Sequence, residues 1–439
     1  SGLRHGEMWS VAVTSQFMST VAVDAAGRPL GNAIMWMDGR GVAYRRMVPD
    51  RSTYGTFIDL HGLVPSLNDS VAHIDLIRTL HRNVYATAAA FVEPMDAIAA
   101  RLTGAVTATQ HTVFPMQVCD NRTWGVTAYS DELVALSGLD PAKLPTLVPM
   151  GEPRGGITAA AAAHLGVSPE AVVASPTIDS VTSAVGSGAT RSSSAGLVMG
   201  TTAVLATHLR AKRHDLAHGL SSAPSALPGS WFLMAENGIG GKALDVFANQ
   251  MMHASYDDVL NLAAGVPCGA NGVMFAPWLV GSMAPRFDSN QRGAFLNIGL
   301  GASRADMARA VLEGVAMNVA WLLPHFAALA DQRYDTISFG GGGARSSLWA
   351  QIIADATGVA VRRLANPSAT NAHGAALLAL VEAGEYMPAE LPDLLSVESV
   401  HEPDEANHRL LSGRLEALVE FHEATAPLYK RLAAEGSAE

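Results

Sequence analysis

The chain has 439 residues, of which 49% are hydrophobic and 16% charged, and its formal net charge is −11 at pH 7. That length is too great for one ordinary core and predicts two domains, while the composition excludes a disordered chain. The negative charge, with no basic cluster to offset it, argues against nucleic acid as a partner.

The two cysteines, Cys119 and Cys268, are far apart and show no paired spacing. This pattern predicts two reduced thiols in a cytosolic protein. No apolar run reaches transmembrane length, and no signal peptide is visible. The sequence therefore predicts a cytoplasmic enzyme without a membrane partner.

The first predicted elements are short strands. Residues 11–13 form a buried strand and residues 21–24 form a second one. The turn Asp24-Ala-Ala-Gly27 then predicts a hairpin.

A third predicted strand, residues 33–37, ends at a polar tip that contains Trp36, Asp38 and Arg40. A sugar pocket uses such groups, because an aromatic ring covers C–H faces and charged groups bond to hydroxyls. A strand end with a surface ion pair would give the same residues. This stretch alone leaves both interpretations open.

The central stretch, residues 175–205, carries the residues that indicate chemistry. Asp179 follows an apolar segment, and an apolar strand at 195–199 ends in Gly200, Thr201 and Thr202. Free backbone amides and hydroxyls suit phosphate oxygens, and a carboxylate suits proton abstraction from an alcohol. Together they predict phosphoryl transfer to a hydroxyl. Taken separately, the aspartate could be a helix cap and the glycine–threonine segment a turn.

A glycine cluster at 237–241 follows a strand at 231–235 and opens an apolar helix. Such a cluster is consistent with a nucleotide that approaches the backbone, but in isolation it favours ordinary close helix packing. Further on, Ser303 and Asp306 form a capping box that begins a long core helix.

Four consecutive glycines, residues 340–343, lie between a strand at 335–339 and a helix at 348–357. In this order a helix N-terminus and bare backbone receive a nucleotide. The stretch lacks the lysine of the GxxxxGK[ST] motif and is not a clean GxGxxG motif. Four glycines exceed what a turn needs, so we interpret the loop as a nucleotide site. A strand at 359–364, a small-residue helix around Gly374 and a helical tail at 402–435 complete the chain.

These segments, taken together, resemble the FGGY carbohydrate kinases and their xylulokinase-like branch. The resemblance rests on four motifs in order. They are VTSQFMSTVAVDAAGRPLGNAIMWMDGR (13–40), IDSVTSAVGSGA with LVMGTTAVL (178–189 and 197–205), GVMFAPWLVGSMAPRFDSNQRGAF (272–295) and ISFGGGGARSSLWAQIIADATGVAV (337–361).

The resemblance implies an α/β protein with two lobes of the ribonuclease-H-like, actin-type ATPase fold and a cleft between them. Residues 1–190 would form the sugar-binding lobe, and residues 191–439 the ATP-binding lobe with a closing helix. ATP and Mg²⁺ are the implied cofactors. The expected partner is a small-molecule sugar, with a homodimer as one option.

The resemblance also assigns roles to single residues. Asp179 would be the general base and a magnesium ligand. The sugar pocket would contain Gln16, Met18, Trp36, Asp38, Arg40 and Ser180. The phosphates would meet Gly200, Thr201 and Thr202, and the adenosine site would contain Gly241, Gly341, Gly342, Gly343, Ala344 and Ser346.

The chain departs from the family pattern at several points. The family's first phosphate loop, Asp-x-Gly-Thr, is absent, for which we expect truncation or omission as the reason. Met18 replaces the usual histidine, and Ala108 replaces the aspartate of a later sugar-lobe motif.

From the motifs and the resemblance together we predict ATP-dependent phosphorylation of a hydroxyl on a small ketose or polyol, first of all a pentulose such as xylulose. The alternative is a sugar- or nucleotide-binding regulator on the same fold.

Overall fold

The computed structural model describes residues 8–47, 50 and 52–436, and we call residues 8–186 the first lobe. Its strands are short, with bounds β1 Ser10–Val11, β2 Thr14–Ser15, β3 Val21–Val23, β4 Ala90–Val92, β5 Thr107–Ala108, β6 Thr146–Leu147, β7 Gly155–Gly156, β8 Val172–Val173 and β9 Thr177–Ile178. Its α-helices are α1 Tyr54–Thr56, α2 Ser70–Leu80, α3 Arg82–Thr87, α4 Pro94–Thr103, α5 Asp131–Ser137, α6 Ala159–Leu165 and α7 Asp179–Gly186. Short 3₁₀-helices cover Gly39–Tyr44, Phe114–Met116 and Pro141–Lys143, and a π-helix covers Phe57–His61.

We call residues 195–436 the second lobe, whose strands are longer. They are β10 Ala195–Met199, β11 Thr202–Leu209, β12 His214–Asp215, β13 Leu220–Pro224, β14 Trp231–Ile239, β15 Met274–Ala276, β16 Ala294–Leu296, β17 Thr336–Gly340, β18 Ala360–Leu364 and β19 Val397–His401. The α-helices are α8 Gly241–Asp245, α9 Tyr256–Ala264, α10 Arg304–Ala330, α11 Ser347–Thr357, α12 Thr370–Glu382 and α13 Glu405–Gly436. A π-helix covers Val246–Met252, and 3₁₀ turns cover Leu216–His218, Ala270–Gly272, Gly342–Arg345, Pro367–Ala369 and Leu391–Leu394.

An eight-stranded sheet organises the second lobe, in the order β12-β13-β14-β11-β10-β17-β18-β19. Strands β10, β11 and β14 form an antiparallel meander, whereas β17 pairs parallel to both β10 and β18. Strand β10 is buried on both faces except at Val198, which explains its continuous apolar sequence. A meander joined to parallel strands is the arrangement expected of a ribonuclease-H-like lobe.

Helix α10 is the central helix of the second-lobe core. Both hydrogen bonds of the predicted capping box, between Ser303 and Asp306, are present at its start. Within the described residues α10 is long and apolar enough to cross a membrane, contrary to the prediction that no apolar run reaches that length. Because 78% of its most apolar window is buried inside the protein, it is a core helix here.

In the first lobe, short parallel pairs bring two predicted site segments together. Strand β1 pairs with β8, and β2 pairs with β9 in the register Ser15 to Ile178. The next residues along the two strands are Gln16 and Asp179. They therefore leave neighbouring parallel strands at the same edge, the edge where α/β folds place their ligands.

The two lobes meet at a helix pair, α7 from the first lobe and α12 from the second. A Cβ on Gly186 would lie 2.0 Å from the carbonyl oxygen of Thr370, and a Cβ on Gly374 would lie 1.8 Å from that of Thr182. The two backbones are thus in direct contact, which requires glycine at both positions.

Hydrogen bonds also join the lobes at the edge of the large sheet. The ammonium group of Lys212 donates to three carbonyl groups of the π-helix Phe57–His61, with 3.2 Å to the oxygen of Ile58. The indole of Trp231 donates to the carbonyl of Asn121 at 3.1 Å. These side chains fix the end of the first lobe against β12–β14.

The segment predicted as a third strand, residues 33–37, is not one. Ile34 makes an isolated bridge with Thr20, and the chain then turns into the 3₁₀-helix Gly39–Tyr44. Asp38 ends the extended segment because its carboxylate accepts the N–H of Arg40 and so caps that helix. The predicted turn at residues 24–27 is present, with the N–H of Gly27 bonded to the carbonyl of Asp24 at 3.0 Å.

Two further boundaries differ from prediction. The strand expected at 11–13 is interrupted, since residues 12 and 13 lie between β1 and β2. The glycine cluster at 237–241 does not begin a helix at its first residue, because β14 continues to Ile239. The buried amide of Asn237 holds that strand end by donating to the carbonyls of Ala284 and Asn318.

Candidate active site

Asp179 is the first residue of α7 and follows β9 directly. Ile178 occupies the N-cap position, so capping is not the role of this carboxylate. Burial raises the pKa of Asp179, and the backbone N–H of Ser180 opposes that rise. The hydroxyl of Ser180 is buried and has no hydrogen-bond partner among the described residues. An acid with a raised pKa thus lies beside an unsatisfied hydroxyl.

A buried histidine, His111, connects this acid to the opposite lobe. Its Nδ1 lies 2.9 Å from the carbonyl oxygen of Pro224, and its Nε2 lies 3.3 Å from the backbone nitrogen of Ile178. A carbonyl only accepts and a backbone N–H only donates, so Nδ1 carries the proton and the ring is neutral. Burial agrees, since it lowers the pKa of His111 to about 4.

Gln16 and Trp36 are brought together by Ser19. The hydroxyl of Ser19 accepts from the side-chain amide of Gln16 at 3.3 Å and from the backbone N–H of Trp36 at 3.2 Å. The same amide donates to the sulfur of Met35 at 3.0 Å. Its two N–H donors are therefore occupied, while its carbonyl oxygen has no hydrogen-bond partner among the described residues.

The carboxyl group of Glu93 holds the backbone of this segment, and the sequence analysis did not predict this role. Its carboxyl oxygens bond the backbone N–H of Ser19 at 3.1 Å and the hydroxyl of Ser70 at 3.2 Å. Complete burial raises the pKa of Glu93 well above its usual range, and the N–H of Ser19 opposes that rise. Met18, the residue before Ser19, has a left-handed backbone conformation with φ of 58°.

Asp38 and Arg40, predicted to contact sugar hydroxyls, bond to each other. The guanidinium Nε lies 2.8 Å from Oδ1 of Asp38, and this bond lowers the pKa of Asp38 to about 2. The Arg40 side chain is 74% exposed. The surface ion pair is therefore present, and contact of these residues with a sugar stays a prediction.

The nucleotide candidates surround one cleft in the second lobe, with a volume of about 720 Å³. Volumes of this size suit a nucleotide-sized ligand. The predicted residues that line it are Gly200, Thr201, Gly241, Gly342, Gly343 and Ser346. Thr202, Gly341 and Ala344 are not among the described residues that line it, nor are Asp179 and Ser180.

Three turns converge at this cleft because glycines let their backbones approach. The N–H of Gly241 bonds the carbonyl of Gly200 at 2.8 Å, and a Cβ on Gly241 would lie 2.4 Å from that oxygen. Gly341 has φ of 80°, and a Cβ there would lie 2.6 Å from the carbonyl oxygen of Met199. At Gly200 and Gly342, by contrast, a Cβ would meet nothing within 4 Å. The glycines of these turns thus serve two purposes: some let backbones pack closely, and others leave open space beside the backbone.

Ala344 and Ser346, both predicted at the adenosine site, lie differently with respect to the cleft. Ala344 is fully buried in the second-lobe core, so its side chain supports the loop and does not face the cleft. Ser346 lines the cleft and also caps α11 by accepting the N–H of Trp349 at 3.1 Å. The N-terminus of α11 therefore points towards the cleft.

Comparison with known proteins identifies the family. Residues 2–186 match the N-terminal domain of the FGGY family of carbohydrate kinases, and residues 195–383 match its C-terminal domain. Together these matches cover most of the chain. It belongs to the FGGY family and is a carbohydrate kinase, as the four motifs predicted.

Among the similar proteins are two xylulose kinases and a gluconokinase. The xylulose kinase of Staphylococcus epidermidis is 26% identical over 405 residues, covering 91% of this chain and 79% of the relative. That of Escherichia coli is 25% identical over 427 residues, covering 95% and 85%. The gluconokinase of Bacillus subtilis is 23% identical over 369 residues, covering 79% and 69%.

Solved structures confirm the fold. The xylulose kinase of Rhodospirillum rubrum superposes with a TM-score of 0.83 at 23% identity, covering 96% of this chain and 85% of the other. The glycerol kinase of Plasmodium falciparum superposes with a TM-score of 0.79 at 17% identity, covering 94% and 83%. The predicted two-lobed, actin-type ATPase fold is therefore confirmed.

Proposed function

We propose that this kinase transfers the γ-phosphoryl group of ATP to a hydroxyl of a small ketose or polyol, with Asp179 as general base. The observation that carries the proposal is the cleft of about 720 Å³ lined by Gly200, Thr201 and Gly342, where both glycines leave open space at the Cβ position for a polyphosphate. The phosphates would meet these groups, and Ser346 and Trp349 would lie at the adenosine.

A pentulose such as xylulose is the first candidate acceptor. The support is the similarity to xylulose kinases over nearly the whole chain, at 25% and 26% identity. Gluconate is the second candidate, because a gluconokinase is also similar. At these identities, the residues of the sugar pocket determine which acceptor is used. The carbonyl oxygen of Gln16 would accept a hydrogen bond from a hydroxyl of either one.

In the proposed mechanism Asp179 accepts the proton of the attacking hydroxyl as the phosphoryl group transfers in line. Its raised pKa makes it a better proton acceptor than an exposed aspartate. The unsatisfied hydroxyl of Ser180 would bond the sugar. Gln16, at the end of the neighbouring strand, would orient the sugar beside the base.

Magnesium fits this site as part of the ATP complex. No cluster of three or more His, Cys, Asp or Glu side chains suited to a metal occurs in the described ranges. Mg²⁺ is commonly held by phosphate oxygens, water and one or two carboxylates, and Asp179 is the proposed carboxylate. When bound, magnesium neutralises charge on the phosphates.

Coupled ATP turnover on a panel of ketoses, polyols and gluconate tests the proposal. We expect turnover on a pentulose, and we expect Asp179→Asn to lower kcat by about 10²–10⁴-fold with little change in sugar affinity. Asp131→Asn is the matched control, because Asp131 is also the first residue of a helix. Near-normal kcat in Asp179→Asn would place the base elsewhere. If no compound of the panel is phosphorylated although ATP still binds, the result would favour the alternative, a sugar- or nucleotide-binding regulator.

We further propose that the enzyme acts in the cytoplasm. The support is that both cysteines are free thiols and that α10 is a core helix. The homodimer expected from the family resemblance is tested by light scattering, where the mass of a single chain would contradict it.

A further inference from the structure

A side-chain cluster at the rim of the nucleotide cleft has no role in the mechanism above. Its centre is Asp245, the last residue of α8. The ammonium group of Lys242 lies 2.5 Å from Oδ2 of Asp245. The amide of Asn249 donates to Oδ1 at 2.7 Å, and the hydroxyl of Tyr256 donates to the same oxygen. Lys242, Asp245 and Tyr256 all line the cleft.

Lys242 lies against the turn proposed to bind phosphate. Its backbone N–H bonds the carbonyl of Thr201 at 3.2 Å, one residue beyond the contact between Gly241 and Gly200. Its side chain is 46% exposed, compared with 23% for that of Asp245. The lysine stem is therefore free to move, whereas the carboxylate is held by three partners.

The charges at the rim make an exchange of partners favourable. Among the described residues that line the cleft, the carboxylates are Asp245 and Asp257, and the cations are Lys242 and Arg345. A polyphosphate near Thr201 would be repelled by these carboxylates and attracted by an ammonium group on a flexible stem. After Lys242 moves, Oδ1 of Asp245 keeps the bonds from Asn249 and Tyr256, and Oδ2 belongs to a side chain that is 23% exposed, so water can replace the ammonium group.

We propose that Lys242 is a nucleotide-binding residue that contacts the terminal phosphates of the nucleotide, and that Asp245 holds it in the ligand-free chain. Phosphate binding exchanges the Asp245 carboxylate for a phosphate oxygen as the partner of the ammonium group. The inference rests on the proposed function, since it assumes that this cleft takes ATP. It adds a residue and a pre-existing contact that the family motifs do not include.

Calorimetric titration of the full chain with ATP, ADP and adenosine tests this role. We expect Lys242→Met to weaken ATP and ADP binding about tenfold or more, while adenosine binding is unchanged. Lys242→Arg should recover most of the ATP affinity. Asp245→Asn should tighten ATP binding about threefold, because the lysine no longer has to leave an ion pair. Lys430→Met, at an exposed lysine on α13, is the control.

Each other outcome has a definite meaning. Unchanged ATP affinity in Lys242→Met, or an equal loss for ATP and adenosine, would overturn the role of Lys242 and leave the proposed function intact. Weaker ATP binding in Asp245→Asn would overturn the exchange of partners. A wild-type chain that binds neither ATP nor adenosine would overturn the proposed function and this inference together.

Discussion

His111 shows how one buried side chain can hold the position of the proposed base, Asp179, without contacting it. It accepts the N–H of Ile178, the residue before Asp179, and donates to Pro224 in the opposite lobe. Its ring is neutral, so these bonds persist at working pH. We therefore regard His111 as a positioning residue for Asp179.

We expect His111→Ala to lower kcat about tenfold, because a lost hydrogen bond of about 1 kcal/mol lets the first turn of α7 move. His111→Gln should restore most of the rate, since its amide can both donate and accept. Sugar KM should change less than kcat, and the acidic limb of the pH–kcat profile should shift in His111→Ala. His164→Ala, at an exposed histidine on α6, is the control. An unshifted profile with lower stability would indicate a purely structural histidine.

The residues that sequence analysis identified are those whose context is local. Asp179, Gly200 and Thr201 lie within one short stretch, so their order along the chain indicated their chemistry. His111 acquires its role from partners 67 and 113 residues away. Glu93 likewise acts on Ser19, 74 residues distant. No local pattern records such contacts, which exist only after the lobes have folded.

At the scale of elements, the loop at 340–343 shows that adjacent glycines are required for different reasons. Gly341 has a positive φ and lies against the Met199 carbonyl, so its conformation belongs to the fold. Gly342 has open space where a Cβ would be and lines the cleft. We therefore expect a substitution at Gly341 to affect stability and one at Gly342 to affect nucleotide binding.

We expect Gly341→Ala to lower the free energy of unfolding by about 2–4 kcal/mol, because the methyl group would clash with backbone at a left-handed residue. Gly342→Ala should leave that free energy within about 0.5 kcal/mol of wild type but weaken ATP binding. Urea unfolding and calorimetry on both variants provide the measurements. Normal ATP affinity in Gly342→Ala would contradict the phosphate role of this backbone.

Elements with strong local signals were predictable. The capping box at Ser303 and the strand–glycine–helix order at β17 and α11 both match the structure. The predicted strand at 33–37 was wrong because Asp38 caps a helix that competes with the extended chain. Met37, at the end of that stretch, is 70% exposed, so burial does not stabilise a strand there.

At the scale of the whole molecule, three buried histidines make stability depend on pH. Burial lowers the pKa of His61 to about 3, and those of His111 and His208 to about 4. The unfolded chain binds these protons near pH 6.5, so between about pH 6.5 and 4 it holds more protons than the native chain. Stability contributed by these histidines is therefore lost as the pH falls through that window.

We expect each histidine to lower the free energy of unfolding by about 2 kcal/mol between pH 7 and pH 5. Glu382 opposes this trend, because its pKa is raised to about 6 and its protonation favours the native chain. His208→Gln isolates the effect, since it should flatten the pH dependence measured by urea unfolding. A slope identical to that of the wild type would contradict a neutral, buried His208.

The contact between α7 and α12 limits how the lobes can move. With Gly186 and Gly374 in backbone contact, the helices cannot approach further, and separating them would open a void. We infer that relative movement of the lobes is a rotation about this contact, and that it requires the bonds of Lys212, Trp231 and His111 between the lobes to break. Asp179 lies about 10 Å along α7 from Gly186, and a turn of about 10° carries it roughly 2 Å. If Asp179 is the base and the second lobe binds the phosphates, as proposed, a small angle at two glycines sets the distance between them.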